Sequence, residues 1–267
     1  MAVGDPNRFD GEVALVTGGA GILGRRFCAG LANAGAKVAV VDISGDQAAE
    51  VAGGIGGSAA SFGCDVSDPQ SVAACVDAVV RHFGRIDILL NNAASKSRDV
   101  RAFFAPFEDY SLETWREVMA VNIDGMFLMA QAVGRQMLGA GGGRVVQTAS
   151  IYGLVGPDSR IYDGSAYLGG PINTPAVYSA SKAAVVGLTR WLATHWADKG
   201  IRVNCLVPGG VSSGQNDVFS SRYSERVPMG RMAEAEEMVG PMLFLASRAS
   251  SYVTGQILAA DGGWTAW

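Results

Sequence analysis

The chain has 267 residues, 49% of them hydrophobic and 17% charged, with a formal net charge of −4. This length and apolar fraction can bury one large α/β core or two small ones. With no basic block, the composition excludes the electrostatic footprint of a nucleic-acid or anionic-membrane binder and points to a small-molecule partner.

In chain order, VALVTGG (13–19) predicts a first buried strand. Thr17 to Gly24, TGGAGILG, follows it and opens a helix. Glycines there allow a tight turn and close approach of the backbone to a pyrophosphate, while the helix N-terminus offers N–H groups to the anion. KVAVVD (37–42) predicts the second strand and ends in Asp42, about 20 residues on, where a carboxylate can accept hydrogen bonds from an adenosine ribose. The same carboxylate would repel the 2′-phosphate of NADP, and Ile43 and Ser44 add no neutralising charge, so NAD is the expected cofactor. Arg25 and Arg26, just past the loop, are expected in solvent. AASFGCD (59–65) ends in Asp65, placed to meet an adenine edge. Asp68, Pro69 and Gly84 then read as N-cap, first helical residue and C-cap of a helix.

IDILLNN (86–92), GRVVQTAS (143–150), IRVNCLVPGG (201–210) and ILAADGG (257–263) predict four more strands, mostly separated by stretches long enough for crossover helices. Strand, helix, strand at this rhythm predicts one α/β domain over 1–267: a doubly wound, Rossmann-type parallel sheet with helices on both faces. Its apolar runs read as strands covered on both sides. The Gly-, Pro- and Ser-rich segment 153–177 is expected to loop out as an inserted substrate loop.

No charged n-region with an apolar h-region opens the sequence, and no uncharged apolar run is long enough to span a bilayer, so a cytoplasmic location without membrane contact is expected. Cys28, Cys64, Cys75 and Cys205 lack metal or disulfide spacing, and with only His82 and His195 no metal site is expected. The cysteines read as small buried hydrophobes, and His195 as a packing or surface residue.

In YSASK, Tyr178 and Lys182 stand four residues apart, which on a helix brings both to one face. TGGAGILG, the strand-end aspartates, NNAA at 91–94, Asn122 in MAVN, Ser150 in TASIYG, YSASK and the PGG after the sixth strand together resemble the short-chain dehydrogenase/reductase family, in its order and across essentially the whole chain. The resemblance implies a catalytic set of Asn122, Ser150, Tyr178 and Lys182. It also implies a cofactor set of Gly18, Gly21, Ile22, Leu23, Gly24, Asp42, Asp65, Val66, Asn92, Ala93, Tyr178, Lys182, Pro208, Gly209, Val211 and Ser213. Tyr178 would be the general acid/base. Moving a phenol from about 10 to about 7 takes about 4 kcal/mol of preference for phenolate, supplied by the nearby ammonium and by bound NAD⁺. Lys182 would also bond the nicotinamide ribose, Ser150 would hold the substrate oxygen, and Asn122 would steady a water leading from Lys182 to solvent.

The chain departs from the family pattern at Ile22, where shorter members carry a glycine, at Ala94 in NNAA, and at Ser212 and Ser213, where a threonine is usual. Ser150 and Tyr178 are 28 positions apart, roughly twice the family's spacing.

The substrate pocket is expected from the loop after NNAA, segment 153–177 and the stretch after PGG. Lys96, Arg98, Arg101, Tyr152, Arg160 and Gln215 are its candidate residues, with Tyr162, Asn173 and Asn216. Arginine forks there would suit a hydroxyl-rich or anionic substrate; the alternative reading of each arginine is a solvated side chain or one paired with Asp99, Glu108, Asp158 or Asp163. SIYG, Pro157, IYDG and Pro175 resemble a branch of the family acting on sugars, sugar acids or nucleotide sugars. The expected activity is NAD-dependent oxidation of a secondary alcohol or lactol carbon of a sugar, sugar acid or polyol. The alternatives are an NADP-dependent ketoacyl or small-ketone reductase and a non-catalytic dinucleotide-binding regulator. Apolar faces on helices 112–138 and 178–198, with Trp191 and Trp196, imply by the resemblance a homodimer or homotetramer.

Overall fold

The computed structural model describes residues 5–167 and 169–267. Its main elements are β1 (Val13–Thr17), α1 (Ile22–Asn33), β2 (Lys37–Asp42), α2 (Gly45–Ile55), β3 (Ala59–Gly63), α3 (Pro69–Phe83), β4 (Ile88–Asn91), α4 (Val100–Phe103), α5 (Leu112–Met119), α6 (Gly125–Ala140), β5 (Gly143–Thr148), β6 (Ala166–Tyr167), β7 (Gly170–Pro171), α7 (Ala176–Trp196), β8 (Ile201–Pro208), α8 (Asp217–Arg226), α9 (Val239–Ala246) and β9 (Ile257–Ala260). The seven predicted strands form one parallel sheet in the order β3-β2-β1-β4-β5-β8-β9. The predicted runs extended over Gly18, Gly19, Asp65 and Asn92, which lie beyond the strand ends and turn at the sheet's carboxyl edge.

Alternation along the strands divides the core. Leu15, Ala39, Val41, Leu89, Val145 and Val203 face α3, α6 and α7, packing on Val76, Val79, Met129, Val133, Leu192 and Trp196. Ala14, Val16, Val38, Val40, Ile88, Leu90 and Val146 face α1, α2 and α9, against Phe27, Leu31, Ala48, Met242 and Leu245. Fully burying a side chain such as Phe27 or Leu31 contributes about 1.5–3 kcal/mol. Both faces are apolar because both are covered, as the continuous runs required. Helix α3 is delimited as its sequence predicts: Asp68 accepts from Gln70 N–H at 3.0 Å, Pro69 is its first residue, and Gly84 closes it at φ 84°.

Strand β1 pairs with both β2 and β4, so the chain winds outward to β3 and then crosses back past β1. Loops leaving the carboxyl ends of β1 and β4 diverge at this point, which opens a ligand crevice. The helix expected over 112–138 is interrupted: a π-helical turn, Ala120–Asp124, joins α5 to α6 and carries Asn122.

Segment 153–177 contains a 3₁₀ turn, Ser159–Tyr162, and the antiparallel hairpin β6–β7. It is tied to the rest of the chain by Asn216 Nδ2 donating to Ser165 Oγ (2.7 Å), Arg222 donating to the Arg160 carbonyl (2.8 Å), and Asn173 donating to the Phe104 carbonyl (3.0 Å). Among the described residues, no helix is long and apolar enough to cross a membrane.

Candidate active site

A cavity of about 500 Å³ runs along the carboxyl edge of the sheet over the crossover between β1 and β4. Its floor is the glycine turn. Gly18 sits at φ +61°, and a Cβ there would lie 2.9 Å from the Ala93 Cα, while one on Gly24 would collide with the Gly18 carbonyl. The turn therefore packs against both the 92–94 loop and helix α1. Gly21 caps α1 without any side-chain hydrogen bond, leaving first-turn N–H groups without a side-chain acceptor. Thr17 Oγ1 accepts from the N–H groups of Asn92 (2.9 Å) and Ala93 (3.1 Å), fastening the two loops together.

Asp42 lines the cavity with its carboxylate held in place by the N–H of Ala20 (3.1 Å) and of Ser44 (3.2 Å). Each oxygen keeps further acceptor capacity for a ligand hydroxyl. Arg25 and Arg26 are exposed, as expected, and each also has a protein partner: Arg25 donates to the Ala20 carbonyl at 2.8 Å and Arg26 pairs with Glu236 at 2.8 Å. The charged groups lining this cavity are Asp42, Asp65 and Lys182. A positive-φ glycine turn, a helix N-terminus and an anchored carboxylate one strand away fit a dinucleotide.

Of the sequence-predicted cofactor residues, Gly18, Gly21, Ile22, Leu23, Asp42, Asp65, Val66, Asn92, Ala93, Tyr178, Lys182, Pro208, Gly209 and Val211 line the cavity. Two do not. Gly24 is buried against Gly18 and serves the packing of helix on turn. Ser213 lies in a neighbouring cavity, its N–H donating to Gln215 Oε1 at 2.7 Å. Val41, Ile43, Cys64, Ala94, Ser95, Val121, Thr148 and Ala149 complete the lining. As plain strand-end and loop residues they carry no individual sequence signal.

Tyr178 and Lys182 stand one turn apart on α7, with Lys182 Nζ 5.8 Å from the Tyr178 ring centroid. Nζ donates to the Thr148 carbonyl at 3.0 Å. Burial pushes the Lys182 ammonium down from 10.5 to about 8. Burial raises the Tyr178 phenol above its ordinary 10, opposed by a hydrogen bond with Ser150. Ser150 and Tyr178, 28 positions apart, line the same cavity, with the turn Ile151–Gly153 pressed onto α7: a Cβ on Gly153 would lie 2.6 Å from the Lys182 backbone. Asn122 is fully buried. Its Oδ1 accepts from the Ser95 N–H (2.8 Å) and its Nδ2 donates to Ser181 Oγ (3.3 Å), joining the π turn, the 92–95 loop and α7.

A second cavity, about 650 Å³, opens beside the first, and Ser150, Tyr178, Ile22 and Gly209 line both. Lys96, Tyr152 and Gln215 line it as expected, with Tyr162, Asn173 and Asn216. The three arginines do not. Arg98 is 96% exposed and 3.6 Å from Glu117, and Arg101 is exposed on α4. Arg160 is 76% exposed and paired with Asp158, which also meets Arg226. Glu117 and Asp158 hold the Arg98 and Arg160 guanidinium groups outside the cavity. Among the described lining residues Lys96 is the sole charged side chain, and aromatic groups dominate: Phe103, Phe104, Tyr167, Phe219 and Tyr223 join the three tyrosines already named. Trp264, from the apolar C-terminal stretch, stacks on Tyr223 with centroids 4.5 Å apart and backs this wall. His195 stacks on Trp191 at the surface, away from both cavities.

A family model described as enoyl-(acyl carrier protein) reductase, adh_short_C2, matches residues 19–265. The chain belongs to the short-chain dehydrogenase/reductase family. Among its relatives in this family, a D-threitol dehydrogenase of Mycolicibacterium smegmatis is 38% identical over 97% of this chain and 94% of its own. The structure of a gluconate 5-dehydrogenase from Burkholderia cenocepacia, in complex with NADP and tartrate, is 34% identical and matches with TM-score 0.87 over 98% of both chains. A short-chain dehydrogenase from Leptospira borgpetersenii with bound NAD⁺ is 32% identical, TM-score 0.86, over 99% of this chain and 97% of that one. This member of the short-chain dehydrogenase/reductase family is therefore an oxidoreductase acting on CH–OH groups, and structures homologous to it carry nicotinamide dinucleotides of both kinds.

Proposed function

We propose that the chain is an NAD-dependent dehydrogenase that oxidises a secondary alcohol or lactol carbon of a sugar, sugar acid or polyol. The observation that carries the reading is the meeting of the two cavities at Ser150 and Tyr178, with Lys182 one helical turn behind. The dinucleotide, when bound, supplies the hydride acceptor. Ser150 holds the substrate oxygen by a hydrogen bond, and Tyr178 takes the hydroxyl proton as general base. The Lys182 ammonium favours the phenolate electrostatically. Asn122 acts as a positioning residue, fixing the 92–95 loop against α7.

The preference for NAD is supported by the Asp42 carboxylate on the cavity wall and by the engagement of Arg25 and Arg26 elsewhere. The substrate class is supported by the hydroxyl- and amide-rich second cavity and by the relatives that act on threitol and gluconate. Exposed Trp191 and Phe127, 60% and 48% accessible, offer a face for a second copy in a dimer or tetramer.

The test is reduction of NAD⁺ and NADP⁺, followed at the nicotinamide absorbance, across aldoses, sugar acids, sulfonated sugars, polyols and simple secondary alcohols. Turnover of hydroxyl-rich substrates with NAD⁺ is expected. Tyr178→Phe is expected to lose at least 100-fold in kcat while NAD⁺ titration stays near wild type. Turnover confined to apolar alcohols would refute the substrate class, preference for NADP⁺ the cofactor, and an active Tyr178→Phe the role of the phenol.

A further inference from the structure

We propose that the hydroxyls of Tyr152, Tyr162 and Thr174 form a subsite that reads a second hydroxyl of the substrate, next to the one being oxidised, so that Tyr162 determines specificity for polyhydroxylated substrates. The inference rests on the polyol reading of the second cavity.

Tyr162 and Thr174 both belong to the segment that separates Ser150 from Tyr178, and Tyr152 follows Ser150 by two residues. Tyr162 Oη donates to Tyr152 Oη at 3.3 Å and shares a close hydrogen bond with Thr174 Oγ1. All three line the cavity that Ser150 and Tyr178 also line. The rings are fixed from behind: Tyr162 packs on Phe219 with centroids 5.5 Å apart, and Tyr152 meets Trp264 edge-on at 6.5 Å. Side-chain hydrogen bonds from Asn216 to Ser165 and from Asn173 to the Phe104 carbonyl hold the segment in place. The cluster is preorganised and would not have to be ordered by its ligand.

Its chemistry selects the ligand group. Three hydroxyls carry three protons, of which the two internal bonds use two, so one donor and several acceptor sites remain open whatever the arrangement of those bonds. Burial raises the pKa values of Tyr152 and Tyr162, which keeps both phenols neutral. A neutral cluster with one spare donor and several spare acceptors suits a partner that both donates and accepts. A substrate hydroxyl does both, whereas a carboxylate only accepts.

The test compares wild type with Tyr162→Phe and Thr174→Val on threitol and on 2-butanol, a monohydroxy alcohol of the same chain length. Both variants are expected to lower the ratio of kcat/KM for threitol over 2-butanol by about 5- to 100-fold, the effect of leaving a buried substrate hydroxyl unpaired, through KM more than kcat. An unchanged ratio in both variants would overturn the proposal, as would equal losses on the two alcohols. If wild type turns over neither alcohol, the dehydrogenase reading fails for this substrate class. Calorimetric titration with threitol in the presence of NAD⁺ still decides the subsite: binding by wild type that Tyr162→Phe weakens supports it, and no binding by wild type overturns it.

Discussion

Replacing Lys182 by methionine tests whether this ammonium is held in a dry setting. Burial lowers the group from 10.5 to about 8, which corresponds to about 3 kcal/mol by which folding disfavours the charged form. Below about pH 8 the lysine is protonated in both states and the full penalty applies. Between about pH 8 and 10.5 the unfolded chain holds a proton that the folded chain has shed, so the unfolding free energy rises with pH. Above that window the penalty is gone. Urea denaturation of wild type and Lys182→Met at intervals from pH 7 to 10.5 should show the difference, wild type minus variant, rising by about 3 kcal/mol. Titrations shared by both chains, such as those of Tyr152 and Tyr223, cancel in the difference, while the lost bond to the Thr148 carbonyl only displaces the curve. Staying at or below pH 10.5 avoids Cys205, whose thiol titrates near 11 and interacts with Lys182. A difference flat with pH would refute the reasoning and mean that water reaches the ammonium.

Asp42→Asn removes the carboxylate from the dinucleotide cavity; a like-charge repulsion worth about 4 kcal/mol at 4 Å and an effective dielectric of 20 makes at least a tenfold relative gain for NADP⁺ in kcat/KM the expected outcome, and an unchanged preference would assign the discrimination to another residue. Asn122→Ala leaves the Ser95 N–H without its acceptor, so a loss of about 1–3 kcal/mol in chemical denaturation, with weaker NAD⁺ binding, is expected; full stability would remove Asn122 from its positioning role. Arg98→Ala and Arg160→Ala are expected to leave kcat/KM for polyols and sugar acids within about twofold, because both side chains are paired outside the cavity. A tenfold loss on sugar acids alone would return them to the substrate.

The sheet was legible because both faces of each central strand are covered, and coverage writes itself as unbroken apolar runs such as VALV and LL at 89–90. The glycine turn and the Tyr178–Lys182 pair were legible because their geometry admits few residue types. The arginines were legible only in part: Asp158, two residues before Arg160, was a readable partner, whereas Glu117 lies 19 positions from Arg98 and meets it only in the folded chain. The hairpin β6–β7 has two residues per strand, too short for any period to register. The π turn carries Asn122 to Ser95 and Ser181, partners 27 and 59 positions away that no local pattern encodes.

The lengthened segment between Ser150 and Tyr178 has a consequence for how freely this scaffold can vary. Closure entropy grows only with the logarithm of loop length, about 0.6 kcal/mol for each doubling, so a connection twice as long between fixed anchor points scarcely burdens folding. The reacting hydroxyls stand on β5's exit and on α7, whereas much of the second cavity's wall belongs to the connection itself. Exchange of that connection would alter which alcohols are admitted and leave the proton-transfer geometry where the sheet puts it. In the proposed dehydrogenase, chemistry and selectivity are separate modules of one chain.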